Sequence, residues 1–68
     1  MVKIDALKEK MASCGYNVSS LAKASGVDKS VISRIFNEQD YNCSIETAKK
    51  LSRTLKLSGK ESSYIFLN

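Results

Sequence analysis

Ala22 and Gly26 lie four residues apart, Val27 follows directly, and Ile32 and Ile35 come five and eight residues after Val27. This spacing constrains the fold more than any other feature of the chain, because each residue answers a steric demand. Two short helices that cross steeply through a tight turn leave no room for a large side chain between them, and Ala22 meets that condition. The turn needs a residue that tolerates positive φ, which Gly26 supplies. Val27, Ile32 and Ile35 then anchor the second helix of the pair to a core.

If Ile32 and Ile35 face inward, the opposite side of that helix faces out. At about 100° per residue, Ser30, Ser33, Arg34 and Asn37 fall within an arc of about 100° pointing away from the isoleucines, with Lys29 and Val31 flanking it. Such a face has the chemistry of a major-groove reader. Arg grips guanine through two hydrogen bonds, Ser and Asn reach base edges or phosphates, and a Val methyl meets a thymine methyl. A surface helix that is polar only because it is wet has a similar composition; the Ala–Gly–Val–Ile–Ile frame separates the two readings.

The rest of the chain reads as further helix. Ile4, Leu7 and Met11 recur at helical spacing from about Lys3 to Ser13, with Gly15 placed to end the segment. Asn17 caps a helix over Val18–Ala24, and Asp28 caps Lys29–Asn37, whose inner side adds Phe36. After a polar loop, Ser44 caps Ile45–Lys56, where Ala48, Leu51 and Leu55 face a core. Ser58 and Glu61 form a capping-box pattern that starts a short fifth helix. The ending Tyr64-Ile65-Phe66-Leu67 suits either that helix or a short strand, and either core packing or a dimer patch.

The 68 residues allow one domain at most, and 43% apolar content suffices for one small core. The net charge of +4 favours polyanions. With no histidine and only Cys14 and Cys43, the chain has no Cys/His zinc site and no disulfide framework. Both cysteines read as buried or half-buried thiols of a reducing cytoplasm. Nothing in the sequence resembles a signal peptide or membrane span, so a soluble intracellular protein is expected. No nucleophile–base pair or Gly-rich phosphate loop is present, which argues against an enzyme, a cofactor or a small-molecule substrate.

The stretch Asn17 to Asn37 resembles the helix-turn-helix of the Cro/repressor (Xre-like) family, and Ser44-Ile45-Glu46-Thr47 leading to Leu51 and Leu55 is similar to that family's fourth helix. The resemblance covers nearly the whole chain and is nearest to small phage Cro-like proteins. It implies an all-α, compact four- to five-helix domain over residues 1–68 that binds double-stranded operator DNA as a transcriptional regulator. By position, it implies base contacts from Lys29, Ser30 and Arg34, and places Ser33 and Asn37 near bases or phosphate; Val31 joins the base-reading set. Phosphate contacts are expected at the start of the second helix (Val18 through its N–H, and Ser19), from Lys23, and from Asn37, Gln39 and Asn42. Lys10 and Lys49 are candidates for long-range steering.

Two residues depart from the family pattern. Val18 stands where a phosphate-binding Gln is frequent, and Glu38 where a Gly often follows the recognition helix. Family members often pair on operators, so a homodimer, formed in solution or only on DNA, is an expected partner. The alternative is an antitoxin or antirepressor that uses the same fold for protein interaction; apolar or acidic residues on the outward face of the third helix would mark it.

Overall fold

A computed structural model describes residues 2–38 and 41–66. Its five helices are α1 (Ile4–Ser13), α2 (Val18–Ser25), α3 (Lys29–Asn37), α4 (Ile45–Thr54) and α5 (Gly59–Phe66), with no strand among the described residues. The all-α fold expected from the sequence is the fold observed.

The starts of α2 to α5 are each set by a short polar side chain. The Asn17 side chain accepts from the Ser20 N–H at 2.8 Å, and the Ser20 hydroxyl accepts from the Asn17 N–H at 2.9 Å, a reciprocal box that opens α2. Asp28 accepts from the Ser30 N–H and opens α3, and Ser44 accepts from the Thr47 N–H and opens α4. At α5 the capping box forms as its pattern predicts: Glu61 accepts from the Ser58 N–H at 3.0 Å and the Ser58 hydroxyl from the Glu61 N–H at 3.1 Å. Helix α1 has no side-chain cap; Lys3 occupies that position, and its N–H instead donates to the Ile65 carbonyl at 2.8 Å.

Leu7, Leu21, Ile32, Ile35, Leu51 and Leu55 are the largest fully buried side chains, drawn from α1 to α4 and the turn after α4. Val2, Val27, Ala48, Ile65 and Phe66 complete the buried cluster. Burying a Leu or Ile fully contributes about 1.5–3 kcal/mol, so this one cluster supplies most of what holds so short a chain folded. Helix α2 packs against both α3 and α4, while α5 closes the far side against α1 and α4. A Ser52–Ser62 hydroxyl pair at 2.8 Å ties α4 to α5.

The alternatives left open for residues 64–66 are resolved, and other sequence expectations need correction. Tyr64, Ile65 and Phe66 continue α5 and form no strand. Ile65 and Phe66 are both buried, as neighbouring positions on a helix allow and as a strand with one solvent-facing side would not. Their burial also takes them out of any dimer patch; Leu67 lies outside the described residues. Helix α4 ends at Thr54 and not Lys56, because Lys56 adopts a left-handed conformation with φ 55°. Helix α2 gains one residue, to Ser25. Cys14, expected to be at least half-buried, is exposed: it follows the last residue of α1 where the chain turns outward, and only its thiol reaches back, to the Leu55 carbonyl at 3.8 Å. Cys43 is half-buried, and burial pushes its thiol pKa up.

Candidate nucleic-acid interface

The pair α2–α3 is built as the spacing requires. Gly26 sits at φ 75°, ψ 11°, and its N–H returns to the Ala22 carbonyl at 3.0 Å, so the chain reverses within a few residues. Ala22 is half-buried and packs against the core, where a larger group would push the helices apart. Val27 at 6% exposure and Ile32 and Ile35 at 1% each fix the rotation of α3 about its axis.

With that rotation fixed, Lys29, Ser30, Arg34 and Asn37 are exposed on the outward side of α3. Val31 and Ser33 are half-buried, and Val31 leans on the core. Of the residues expected to read bases, these two are therefore the least accessible. The Ser30 hydroxyl donates to Asp28 at 2.8 Å, which leaves its oxygen as an acceptor for an amino group. Asp28 is held below the ordinary carboxylate range, chiefly by the Ser30 N–H and then by this hydroxyl.

At the other end of α3, the Arg34 guanidinium is neither buried nor loose. Its Nε donates to Glu38 Oε2 at 2.9 Å and its Nη2 to Oε1 at 3.4 Å, while Tyr41 lies against its face with the ring centroid 4.5 Å from Cζ. The Glu38 carboxylate raises the Arg34 pKa further, so the guanidinium stays charged.

The described residues expected to touch phosphate lie on α2, at the end of α3 and in the loop before α4. Val18 and Ser19 are the first two residues of α2, and the first N–H groups of a helix have no carbonyl partner within it. The Val18 side chain packs against the core, leaving its N–H as the polar group to offer. Lys23 is exposed in the last turn of α2, Asn37 is exposed at the end of α3, and Asn42 is exposed in the loop before α4. Gln39 lies outside the described residues.

Two cations change roles. Lys10 donates to Glu61 of α5 at 3.1 Å and is thereby committed to the α1–α5 side. Lys8 of α1 stands 5.8 Å above the ring of Phe36 on α3. No sequence signal marks Lys8, since α1 and α3 meet only in the fold. The Arg34–Glu38 pair did have one, the four-residue spacing of opposite charges near a helix end.

These features define a helix-turn-helix protein of the Cro/repressor (Xre) type. The family model described as Helix-turn-helix matches residues 7–61, and the chain belongs to that family. It is therefore a DNA-binding transcription regulator whose ligand is double-stranded DNA. Searches of curated proteins and of solved structures gave no match. Among the described residues, no helix is long and apolar enough to cross a membrane.

Proposed function

We propose that the chain is a repressor or Cro-like regulator that recognises an operator sequence by laying α3 in the major groove. The observation that carries this reading is the outward face of α3: Lys29, Ser30, Arg34 and Asn37 are exposed while Ile32 and Ile35 are 1% exposed, so a polar, cationic edge is held rigidly outward. Lys29, Ser30 and Arg34 read bases, with Val31 and Ser33 grazing the groove beside them. The N–H groups of Val18 and Ser19, together with Lys23, Asn37, Gln39 and Asn42, hold the phosphates on either side. The cationic face favours DNA over the antitoxin or antirepressor alternative, which calls for an apolar or acidic surface there.

A module of this size covers about 600–1,000 Å² of a DNA site, too little for tight and selective binding by one copy. Residues 1–68 therefore act as one unit that pairs on operators with half-sites about one helical turn apart, in the bacterial or phage-infected cytoplasm. Selection of bound duplexes from a randomised library tests the reading. A single enriched sequence with related half-sites is expected, and Arg34→Ala should weaken it about ten- to a hundredfold relative to random duplex. Enrichment of no sequence would refute the reading.

A further inference from the structure

The guanidinium of Arg34 has five N–H donors in one plane and two open faces. Glu38 takes the edge formed by Nε and Nη2, at 2.9 and 3.4 Å, and the Tyr41 ring takes one face at 4.5 Å. The in-plane edge left over is the distal fork of Nη1 and Nη2, two parallel donors on one side. Guanine presents a matching pair of acceptors, O6 and N7, on its major-groove edge.

The backbone holds the three residues in this arrangement. The Glu38 N–H donates to the Arg34 carbonyl at 2.9 Å, and the Tyr41 N–H donates to the Glu38 carbonyl at 3.0 Å. Carboxylate and ring are thus carried on a short relay that starts from Arg34 itself. The carboxylate also changes what the guanidinium can bind well. A phosphate brought to the fork would lie near Glu38 and be repelled by it, whereas a base edge carries no net charge and meets a much smaller penalty. The ion pair is half-exposed, so it adds little to folding stability, and its effect falls on orientation and ligand choice.

We propose that Glu38 and Tyr41 are positioning residues that hold Arg34 side-on and stacked, so that its distal fork reads the guanine of a G·C pair and is kept from serving as an indiscriminate phosphate clamp. The inference rests on the reading that α3 contacts bases, and its test separates the two.

The most enriched duplex from a randomised library is bound, alongside every single-pair variant of it and random duplex, by the wild type and by Arg34→Ala, Glu38→Ala, Tyr41→Ala and Glu9→Ala. Glu9, exposed on α1, controls for the loss of one negative charge. Glu38→Ala is expected to melt near the wild type, to hold or gain affinity for random duplex, and to lose about tenfold of the discrimination at the one G·C pair that Arg34→Ala also affects. Tyr41→Ala should lose preference at the same pair, and Glu9→Ala should change all sequences uniformly. If Glu38→Ala behaves as Glu9→Ala does, with Arg34-dependent discrimination intact, the positioning role is overturned while base reading by α3 survives. A preference for A·T at the Arg34-dependent pair overturns the guanine assignment. If Arg34→Ala leaves every preference unchanged, the reading of α3 fails and this proposal falls with it.

Discussion

Gly15 and Lys56 occupy the same position in two copies of one helix-ending turn. After α1, the Gly15 N–H donates to the Ala12 carbonyl and the Tyr16 N–H to the Met11 carbonyl; after α4, the Lys56 N–H donates to Arg53 and the Leu57 N–H to Ser52. Both turns are Schellman motifs, and both place their central residue in the left-handed region, at φ 80° for Gly15 and φ 55° for Lys56.

The two positions therefore make a matched pair for substitution. A Cβ at Gly15 would meet no atom within 4 Å, so Gly15→Ala carries only the backbone cost of left-handed geometry, about 1 kcal/mol. Lys56→Gly should remove the equivalent strain and stabilise the fold by about 0.5–1 kcal/mol. Thermal melts of the two variants should move in opposite directions. A destabilised Lys56→Gly would mean that its side chain contributes more than its backbone costs.

Gly26 tests the turn between α2 and α3 in the same terms. Its φ is 75° and a Cβ there also meets nothing within 4 Å, so crowding is not the issue. Gly26→Ala is expected to cost about 1 kcal/mol, and Gly26→Val about 2 kcal/mol, because β-branching further disfavours positive φ. Chemical denaturation would give both values. Equal stability of Val and Gly variants would show that the turn relaxes to another geometry at no cost.

Acid should weaken the fold in a defined way. Glu61 has its pKa lowered first by the Ser58 N–H and then by Lys10, and Asp28 is lowered by Ser30. A depressed folded-state pKa means that the stabilisation is fully present above the unfolded value and fades as pH falls through the folded one. The melting temperature should thus be flat near neutrality and fall from about pH 5 downward. Glu61→Ala should melt lower than the wild type at neutral pH and show a shallower acid slope. An unchanged slope would assign the acid sensitivity to other carboxylates.

The elements the sequence made legible were those governed by local rules. Asn17, Asp28, Ser44 and the Ser58/Glu61 box each mark a helix start, and each cap forms. The Ala22–Gly26–Val27 spacing likewise encodes a turn that local sterics can demand. What escaped the sequence either leaves no compositional mark or depends on contacts between distant segments. The end of α4 was misplaced because left-handed geometry at a lysine has no compositional mark. The chain's last segment stayed ambiguous because only tertiary packing buries Ile65 and Phe66 together. Arg34 was legible as an outward residue, but its orientation depends on Tyr41 coming back beside it after the loop, which no helical periodicity predicts.

The same limit applies to the lysines, and salt dependence resolves them. Neutralising one phosphate-contacting cation should flatten the slope of log K against log salt by about 0.9. Lys23 is exposed on α2, and Lys8 stands over Phe36 on the α3 side of α1; under the proposed docking both would meet phosphate. Lys10 is taken up by Glu61 on α5. Lys23→Ala and Lys8→Ala should each flatten the slope by about 0.9 on operator and random duplex alike, because a phosphate contact carries no sequence information. Lys10→Ala should leave the slope unchanged and lower the melting temperature instead. If Lys10→Ala flattens the slope while Lys8→Ala does not, DNA approaches α1 from the α5 side, and the docking of α3 in the groove has to be redrawn.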